Sequence, residues 1–279
     1  MIVKDLIINV KEKLRSSGIV NAEYEAKILM FKFSGLSEIE IMAHPERNVE
    51  TPNCMKIFEL VERRMKREPL QYILGAAWFW GREFSVGEGV LCPRPETELL
   101  VEAALEEDFD SFLDWGTGSG CIAATLLSER PGAHGVAAEV NPLSIIKAYE
   151  NLRRLGVIDR CVLWHSRSPD DIPVWQTDLI ISNPPYIETD KIQSLMPEVQ
   201  REPFVALDGG SDGLDYYRKL VRYAPTKLRA GGRLLLEIGE GQADYFRNNS
   251  FDKLKLNYIR KDFQGIERIA SLVLRDENG

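Results

Sequence analysis

The sequence predicts an α/β protein in which strands of one sheet alternate with helices, preceded by a small helical domain. Three observations carry this reading. Beyond Phe112, short apolar runs such as Leu179-Ile180-Ile181 alternate with helical patterns, as expected for a parallel sheet covered on both faces. Within that part, Phe112-Leu113-Asp114-Trp115 runs into the glycine-rich turn Gly116-Thr117-Gly118-Ser119-Gly120 and then into Cys121-Ile122-Ala123-Ala124-Thr125-Leu126-Leu127, a strand, turn and helix in succession. Helical signals dominate everything before a change of composition near Pro69.

Taken in order, the chain opens with an amphipathic helix whose apolar face is Val3, Leu6, Ile7, Val10 and Leu14. Charges lie between these residues from the outset, so the segment does not read as a signal peptide. Gly18 and Gly35 sit at helix ends, Ser37 and Glu40 have capping-box spacing, and Thr51-Pro52 starts the next helix with Pro at its first position. This gives a helical domain over residues 1–68. Residues 69–94 turn to aromatic and β-branched types around Gly75, Gly81, Gly87 and Gly89 and read as a β-hairpin linker. A helix beginning near Pro95 opens the domain spanning 95–279. Its strands are Phe112–Trp115, Gly135–Val140, one ending before His165, Leu179–Ile181, Arg233–Ile238 after Gly231-Gly232, and two last ones near Asn257–Asp262 and Arg268–Leu274 joined by a turn containing Gly265.

A formal charge of −8 argues against a nucleic-acid polymer as the main ligand, because phosphate binding rests on clustered Lys and Arg, and favours a protein partner. The basic run Arg63-Arg64-Met65-Lys66-Arg67 reads as the solvated end of a helix, where cations oppose the helix dipole. Cys54, Cys92, Cys121 and Cys161 are far apart with no paired metal-ligand spacing, which fits a reduced cytoplasm and predicts no metal. No apolar run approaches the length of a membrane-spanning helix.

The most informative segment is Ser182-Asn183-Pro184-Pro185-Tyr186, at the end of an apolar strand. Pro184 forces Asn183 toward extended dihedrals, so the Asn side chain and nearby carbonyls are held at one orientation beside the Tyr186 ring. Such a set suits a planar NH2 group, an amide or an aromatic amine, gripped through its two N–H donors. Asn-Pro-Pro-Tyr resembles the signature of methyltransferases acting on such nitrogens. In the glycine turn, Cys121 stands where a dinucleotide fingerprint would carry its third glycine, and G-x-G-x-G resembles the S-adenosylmethionine loop of Rossmann-like methyltransferases. Gly116, Thr117, Gly118, Ser119 and Gly120 are therefore expected to hold that cofactor. Asp114 would accept from the amino group of its methionine moiety or tie down the loop, and Glu139, an acid ending the next strand, from its ribose hydroxyls.

Further motifs sharpen the reading. Pro69-Leu70-Gln71-Tyr72-Ile73-Leu74-Gly75, Pro93-Arg94-Pro95-Glu96-Thr97-Glu98, Asp212-Gly213-Leu214, Leu235-Leu236-Glu237-Ile238-Gly239 and Lys261-Asp262 with Gly265 accompany the two motifs above. Over nearly its whole length the chain resembles the PrmC/HemK family of protein-glutamine methyltransferases that modify peptide chain release factors. The resemblance implies a Rossmann-like S-adenosylmethionine-dependent methyltransferase fold with a mixed seven-stranded sheet and an antiparallel edge. It also implies methyl transfer from S-adenosyl-L-methionine, leaving S-adenosyl-L-homocysteine, to the glutamine amide of a release factor Gly-Gly-Gln loop. The amide would sit against Asn183 and the Pro184 carbonyl, with Pro185 stiffening the turn and Tyr186 completing the wall. Arg94 and Glu98 would orient the site, and Gln200-Arg201-Glu202-Pro203 would belong to a loop over it.

The chain departs from the family pattern at three places. His165-Ser166-Arg167 replaces a Gly-Asp or Gly-Glu followed by an aromatic, where the adenine normally lies, and Ser166 and Arg167 are expected to take over that contact, Arg167 by stacking its guanidinium. Trp115 replaces a smaller aliphatic residue, and Glu139 stands where Asp is common. From the residues themselves two alternatives stay open: an adenine-amine methyltransferase on DNA or RNA, since the same four residues can hold a flipped base, and a glutamine methyltransferase of a ribosomal protein.

Overall fold

A computed structural model describes residues 1–167, 171–172 and 176–275. The last four residues of the domain expected over 95–279 therefore lie outside the described residues. The chain divides into two units, Met1–Ala76 with Met196–Arg201, and Ala77–Leu195 with Glu202–Gly279.

The first unit is helical: α1 (Val3–Ser16), α2 (Ala22–Phe33), α3 (Glu38–Ala43), α4 (Thr51–Met65) and α5 (Leu70–Leu74). Val3, Leu6, Val10 and Leu14, one stripe of α1, are fully buried in a core with Leu29 and Met30 of α2 and Ile57 and Val61 of α4. At α3 the capping box forms as its spacing suggests: Ser37 Oγ accepts from Glu40 N, and Glu40 Oε2 accepts from Ser37 N at 2.8 Å. Two expectations need correction. The segment from Pro69 begins as a helix, not a hairpin, because Leu70 to Leu74 turn Tyr72 and Ile73 inward and end on Gly75 at φ 69°. The basic run ends α4 with Lys66 exposed, but it is solvated only in part. Arg64 is 5% exposed and makes a two-pronged pair with Glu25, Nε to Oε2 at 2.7 Å and Nη2 to Oε1 at 3.1 Å. Its Nη1 and that of Arg67 both reach Glu198 Oε1, at 2.9 and 3.0 Å, so a short segment from late in the chain is bound to α4 through charge.

In the second unit, β1 (Ala76–Phe79) and β2 (Arg82–Ser85) form the hairpin. Its turn, Trp80-Gly81, has positive φ at both residues, 51° and 67°, the pattern of a tight two-residue connection. After α6 (Glu98–Leu105) come β3 (Ser111–Trp115), α7 (Cys121–Glu129), β4 (His134–Glu139), α8 (Pro142–Arg154), β5 (Cys161–His165) and β6 (Thr177–Ser182). They are followed by α9 (Asp215–Lys227), β7 (Leu228–Glu237), α10 (Ala243–Asn248), β8 (Leu254–Lys261) and β9 (Glu267–Leu274). Seven strands pair in the order β5-β4-β3-β6-β7-β9-β8. The first five are parallel, while β9 runs antiparallel to β7 and to β8. This is the mixed seven-stranded sheet expected.

Alternation along the strands explains their composition. Phe112, Leu179, Ile181 and Leu235 face a core with α6 and α7, while Leu113, Ile180, Leu234 and Leu236 face another with α9 and α10. With both faces covered, a strand cannot alternate apolar with polar, which is why Leu179-Ile180-Ile181 reads as one run. The four cysteines are buried free thiols. Among the described residues no helix is long and apolar enough to cross a membrane.

Candidate active site

The strand order reverses about β3, with β4 and β5 on one side of it and β6 and β7 on the other. Such a switch point opens a crevice at the C-terminal ends of the strands. A cleft lies there, lined by Gly116 to Ser119, Glu139, Ser166 and Arg167 and by Thr97, Asn183, Pro184 and Pro185. Most residues singled out from the sequence are thus brought to one place.

On the β3–β4 side the walls are backbone held by buried carboxylates. Gly116 and Gly118 have φ of 76° and 56°, and open space lies where a side chain would start, so a ligand can approach the loop backbone closely, while the amides of Gly116 and Thr117 are spent on Ala138 O at 2.9 and 3.0 Å. Gly120 does not line the cleft; it caps α7 in the left-handed region. Asp114 is fully buried beneath the loop and does not line the cleft. Its Oδ2 accepts from Thr117 Oγ1 at 2.6 Å and from Ala123 N at 3.2 Å, which joins the loop to the first turn of α7. Burial pushes this carboxyl up to about 7 despite those bonds. Of its two suggested roles, tying down the loop is the one these contacts perform.

Glu139, at the end of β4, accepts from Gly118 N through Oε2 at 2.9 Å, and from Val140 N and Asn141 N through Oε1 at 2.8 and 2.9 Å. A carboxylate offers about four acceptor positions. Oε2 therefore keeps one for a donor in the cleft. Burial raises its pKa, opposed first by the backbone amides of Asn141, Gly118 and Val140. Beyond β5, Ser166 is buried and donates its N–H to Glu139 O at 2.9 Å, while Arg167 is exposed at the rim and donates its N–H to Asp171 Oδ2 at 3.2 Å.

On the β6 side the wall is made of side chains. Asn183 is half-buried, and its Nδ2 donates to Thr97 Oγ1 at 3.0 Å. Thr97 in turn donates to Oε2 of Glu237, the last residue of β7, at 2.7 Å. Tyr186 donates its hydroxyl to Glu237 Oε1 at 3.4 Å. Glu237 is fully enclosed, and burial drives its carboxyl up to about 7, against the hydrogen bond from Thr97 and the charge of Arg268. Asn183 Nδ2 being engaged, its Oδ1 is the group left to accept from a ligand. The turn is also held from below: Gln242 Nε2 donates to Tyr186 O at 2.9 Å and to Gly213 O at 3.2 Å. A side chain at Gly213, where φ is 72°, would start 2.4 Å from Tyr186 O, which explains the glycine of Asp212-Gly213-Leu214.

Besides Asp114 and Gly120, four residues do not stand where the sequence suggested. Tyr186 does not line the cleft; it packs against the core beside Ile238 and α9 and spends its hydroxyl on Glu237. Glu98 turns away as well, its Oε1 accepting from Trp80 N at 2.6 Å and so fixing the hairpin turn, because the first residue of α6 points toward the hairpin. Gln200 and Arg201 belong to the segment grouped with the helical unit. Arg94 does line the cleft, and its Nη2 donates to Glu202 Oε2 at 2.7 Å. Sequence reasoning gave no role to Thr97 or Glu237, nor to Tyr216 and Lys219 of α9, which also line the cleft or support it. Glu237 carried a usable signal, since an acid ending a buried strand is the pattern that singled out Glu139.

Comparison with known proteins agrees with this architecture. A family described as PrmC N-terminal domain matches residues 5–75, and one described as Methyltransferase small domain matches residues 94–202. The release factor glutamine methyltransferase of Cereibacter sphaeroides is 43% identical over 235 residues, covering 82% of this chain and 83% of its own. That of Geobacter sulfurreducens is 42% identical over 264 residues, covering 92% and 91%. Among solved structures, a methyltransferase from Pyrococcus furiosus superposes with a TM-score of 0.55 at 16% identity, over 71% of this chain and 91% of that one. The catalytic domain of hMettl16, crystallised with an RNA hairpin, superposes with a TM-score of 0.54 at 13% identity, over 82% and 84%. At such identities these structures speak for the fold alone.

Proposed function

We propose, from the premise that this chain belongs to the release factor glutamine methyltransferase family, that it moves a methyl group from S-adenosyl-L-methionine to the side-chain amide nitrogen of the glutamine in a release factor Gly-Gly-Gln loop. The observation that carries the reading is the pairing, in one cleft, of a bare glycine loop with an asparagine whose amide oxygen is left to accept. The cleft fits the cofactor: at Gly116 and Gly118 no side chain blocks close approach to the loop backbone, and Glu139 Oε2 keeps an acceptor position for a ribose hydroxyl. Ser119, Ser166 and Arg167 complete that side. When bound, S-adenosyl-L-methionine supplies an electrophilic methyl on a sulfonium.

What the chain supplies is orientation. An amide nitrogen is a weak nucleophile because its lone pair is delocalised, so fixing its direction matters more than a strong base. Asn183 Oδ1 accepts one amide N–H and the Pro184 carbonyl the other. Both dipoles then face the nitrogen as it becomes cationic. Arg94, held by Glu202, borders the acceptor side, and no side chain is assigned as a base: the nitrogen loses its extra proton to solvent after transfer, when it has become acidic, and the leaving group is the neutral thioether of S-adenosyl-L-homocysteine. An acidic chain of net charge −8 suits a protein substrate in the cytoplasm better than a phosphate backbone. The helical unit, residues 1–68 as read from the sequence, serves recognition of that protein rather than the chemistry.

A partition experiment tests the reading. Incubated with labelled S-adenosyl-L-methionine and equal amounts of release factor, ribosomal proteins and DNA, the enzyme should label the release factor, and peptide mass spectrometry should put one methyl group on the loop glutamine. Label entering DNA or a ribosomal protein faster would assign the cleft to one of those acceptors instead.

A further inference from the structure

We propose that Thr97 and Glu237 are positioning residues that fix the polarity of the Asn183 amide, and so decide whether the cleft offers the substrate an acceptor or a donor. The inference rests on the function proposed above and adds two residues that act through Asn183. Asparagine is nearly symmetric in shape, and its amide can turn over to exchange oxygen for NH2. Something must choose. Thr97 is 3% exposed and Glu237 2%, so their bonds are largely shielded from water.

The choice follows from counting protons. An ionised carboxylate can only accept, so Glu237 Oε2 takes the Thr97 hydroxyl proton along the 2.7 Å contact. Thr97 Oγ1 then has only lone pairs to turn toward Asn183. The 3.0 Å partner must be Nδ2, and Oδ1 is aimed at the substrate. The second carboxylate oxygen accepts from Tyr186, so the same group also anchors the turn after Pro185.

Protonation of Glu237 reverses the logic. A carboxylic acid can donate to Thr97 Oγ1, which frees the threonine proton for an asparagine oxygen and leaves NH2 facing the cleft. A donor there meets the N–H of a substrate amide and repels it. The groups that face Glu237 are Thr97 and Glu96 from the segment before α6, Tyr186 after β6, Arg268 on β9, and Tyr217 of α9, whose hydroxyl donates to the Glu237 carbonyl at 3.2 Å. Arg268 alone is cationic, and its Nε is shared with Asp262 Oδ2 at 3.1 Å. The carboxyl, pushed up to about 7, therefore changes charge within the range where the enzyme can be assayed.

The test uses the full-length chain with Thr97→Val, Thr97→Ser and Glu237→Gln. Thr97→Val keeps the shape and removes the hydroxyl; it should lower kcat about tenfold to a hundredfold while the calorimetric affinity for S-adenosyl-L-homocysteine stays within about twofold. Thr97→Ser should recover most of the loss. In the parent, kcat should rise with pH through an inflection near 7, and in Glu237→Gln that inflection should vanish, because a carboxamide holds its polarity at every pH. A readout independent of turnover is the side-chain amide resonance of Asn183, assigned with Asn183→Asp: it should titrate near pH 7 in the parent and stay flat in Glu237→Gln. If Thr97→Val turns over at the parent's rate, or the Asn183 resonance titrates unchanged in Glu237→Gln, the relay is wrong. If the parent leaves the loop glutamine unmodified, the substrate assignment fails while the resonance still decides the relay.

Discussion

The two sides of the cleft are built on the same plan and differ in what the plan holds. At the end of β4 the buried carboxylate of Glu139 gathers three backbone amides, and beneath the loop Asp114 ties Thr117 to the first turn of α7. At the end of β7 the buried carboxylate of Glu237 gathers the side chains of Thr97 and Tyr186 and, through Thr97, Asn183. Backbone amides look alike whatever the residues, so the first side can serve any reaction that uses the same cofactor. Side chains carry chemical identity, so in the function proposed it is the second side that would select the acceptor. Generality and specificity are thus separated across one crevice.

Removing the group that faces the acceptor should give the largest effect. Asn183→Ala is expected to lower kcat by about 10²–10³, the loss commonly seen when one preorganised transition-state hydrogen bond goes, with cofactor affinity in calorimetry near the parent's. A variant that lost both together would erase the division between the two sides.

Next in size is a dependence of stability on pH. Burial pushes the Glu237 carboxyl up to about 7 in the folded protein, against the ordinary glutamate value, about 4.3, in the unfolded chain. Between those values the native state holds a proton that the unfolded state has released, so stability falls as pH rises and levels off above the folded value. The loss attributable to this carboxyl is on the order of 3 kcal/mol between about pH 4 and 8. Urea unfolding should therefore show Glu237→Gln losing less stability than the parent over that interval; an equal loss in both would mean that the carboxyl is not held neutral by burial. Asp114, also pushed up to about 7, contributes a similar slope that both proteins share.

On the cofactor side, Glu139→Ala leaves the amides of Gly118, Val140 and Asn141 without their acceptor and should weaken S-adenosyl-L-homocysteine binding about tenfold or more. Unchanged affinity would move the ribose elsewhere. The smallest change is expected at Glu98. Because its carboxylate holds Trp80 N in the hairpin turn, Glu98→Ala should cost about 1 kcal/mol in stability and leave kcat within about twofold. A tenfold fall in kcat would return Glu98 to the site.

The same division decides what could be read without a structure. The β3–β4 side rests on a local pattern, a strand, three glycines and an acid about twenty residues on, and all of these are contiguous enough for spacing to carry the argument. The sheet was legible for a similar reason, since burial on both faces writes unbroken apolar runs. The acceptor side joins Thr97, Asn183 and Glu237, each separated by more than fifty residues, and only the pairing of β6 with β7 brings the last two together. At Tyr186 the sequence leaves the outcome open, because an aromatic next to a binding turn can face the ligand or the core equally well, and here a buried carboxylate accepts from its hydroxyl. The burial of Arg64 is invisible to local pattern because its partners, Glu25 and Glu198, lie on elements remote in the chain.

The central claim is that the acceptor side is built to receive two N–H donors of an amide. The most direct measurement is the methyl label incorporated into a release factor whose loop glutamine is replaced by glutamate, compared with the unaltered factor under the same conditions. Glutamate removes the NH2 group and sets a negative charge before the Asn183 oxygen, so incorporation at the loop should fall to background. Label entering the glutamate form at the rate of the unaltered factor would contradict the account.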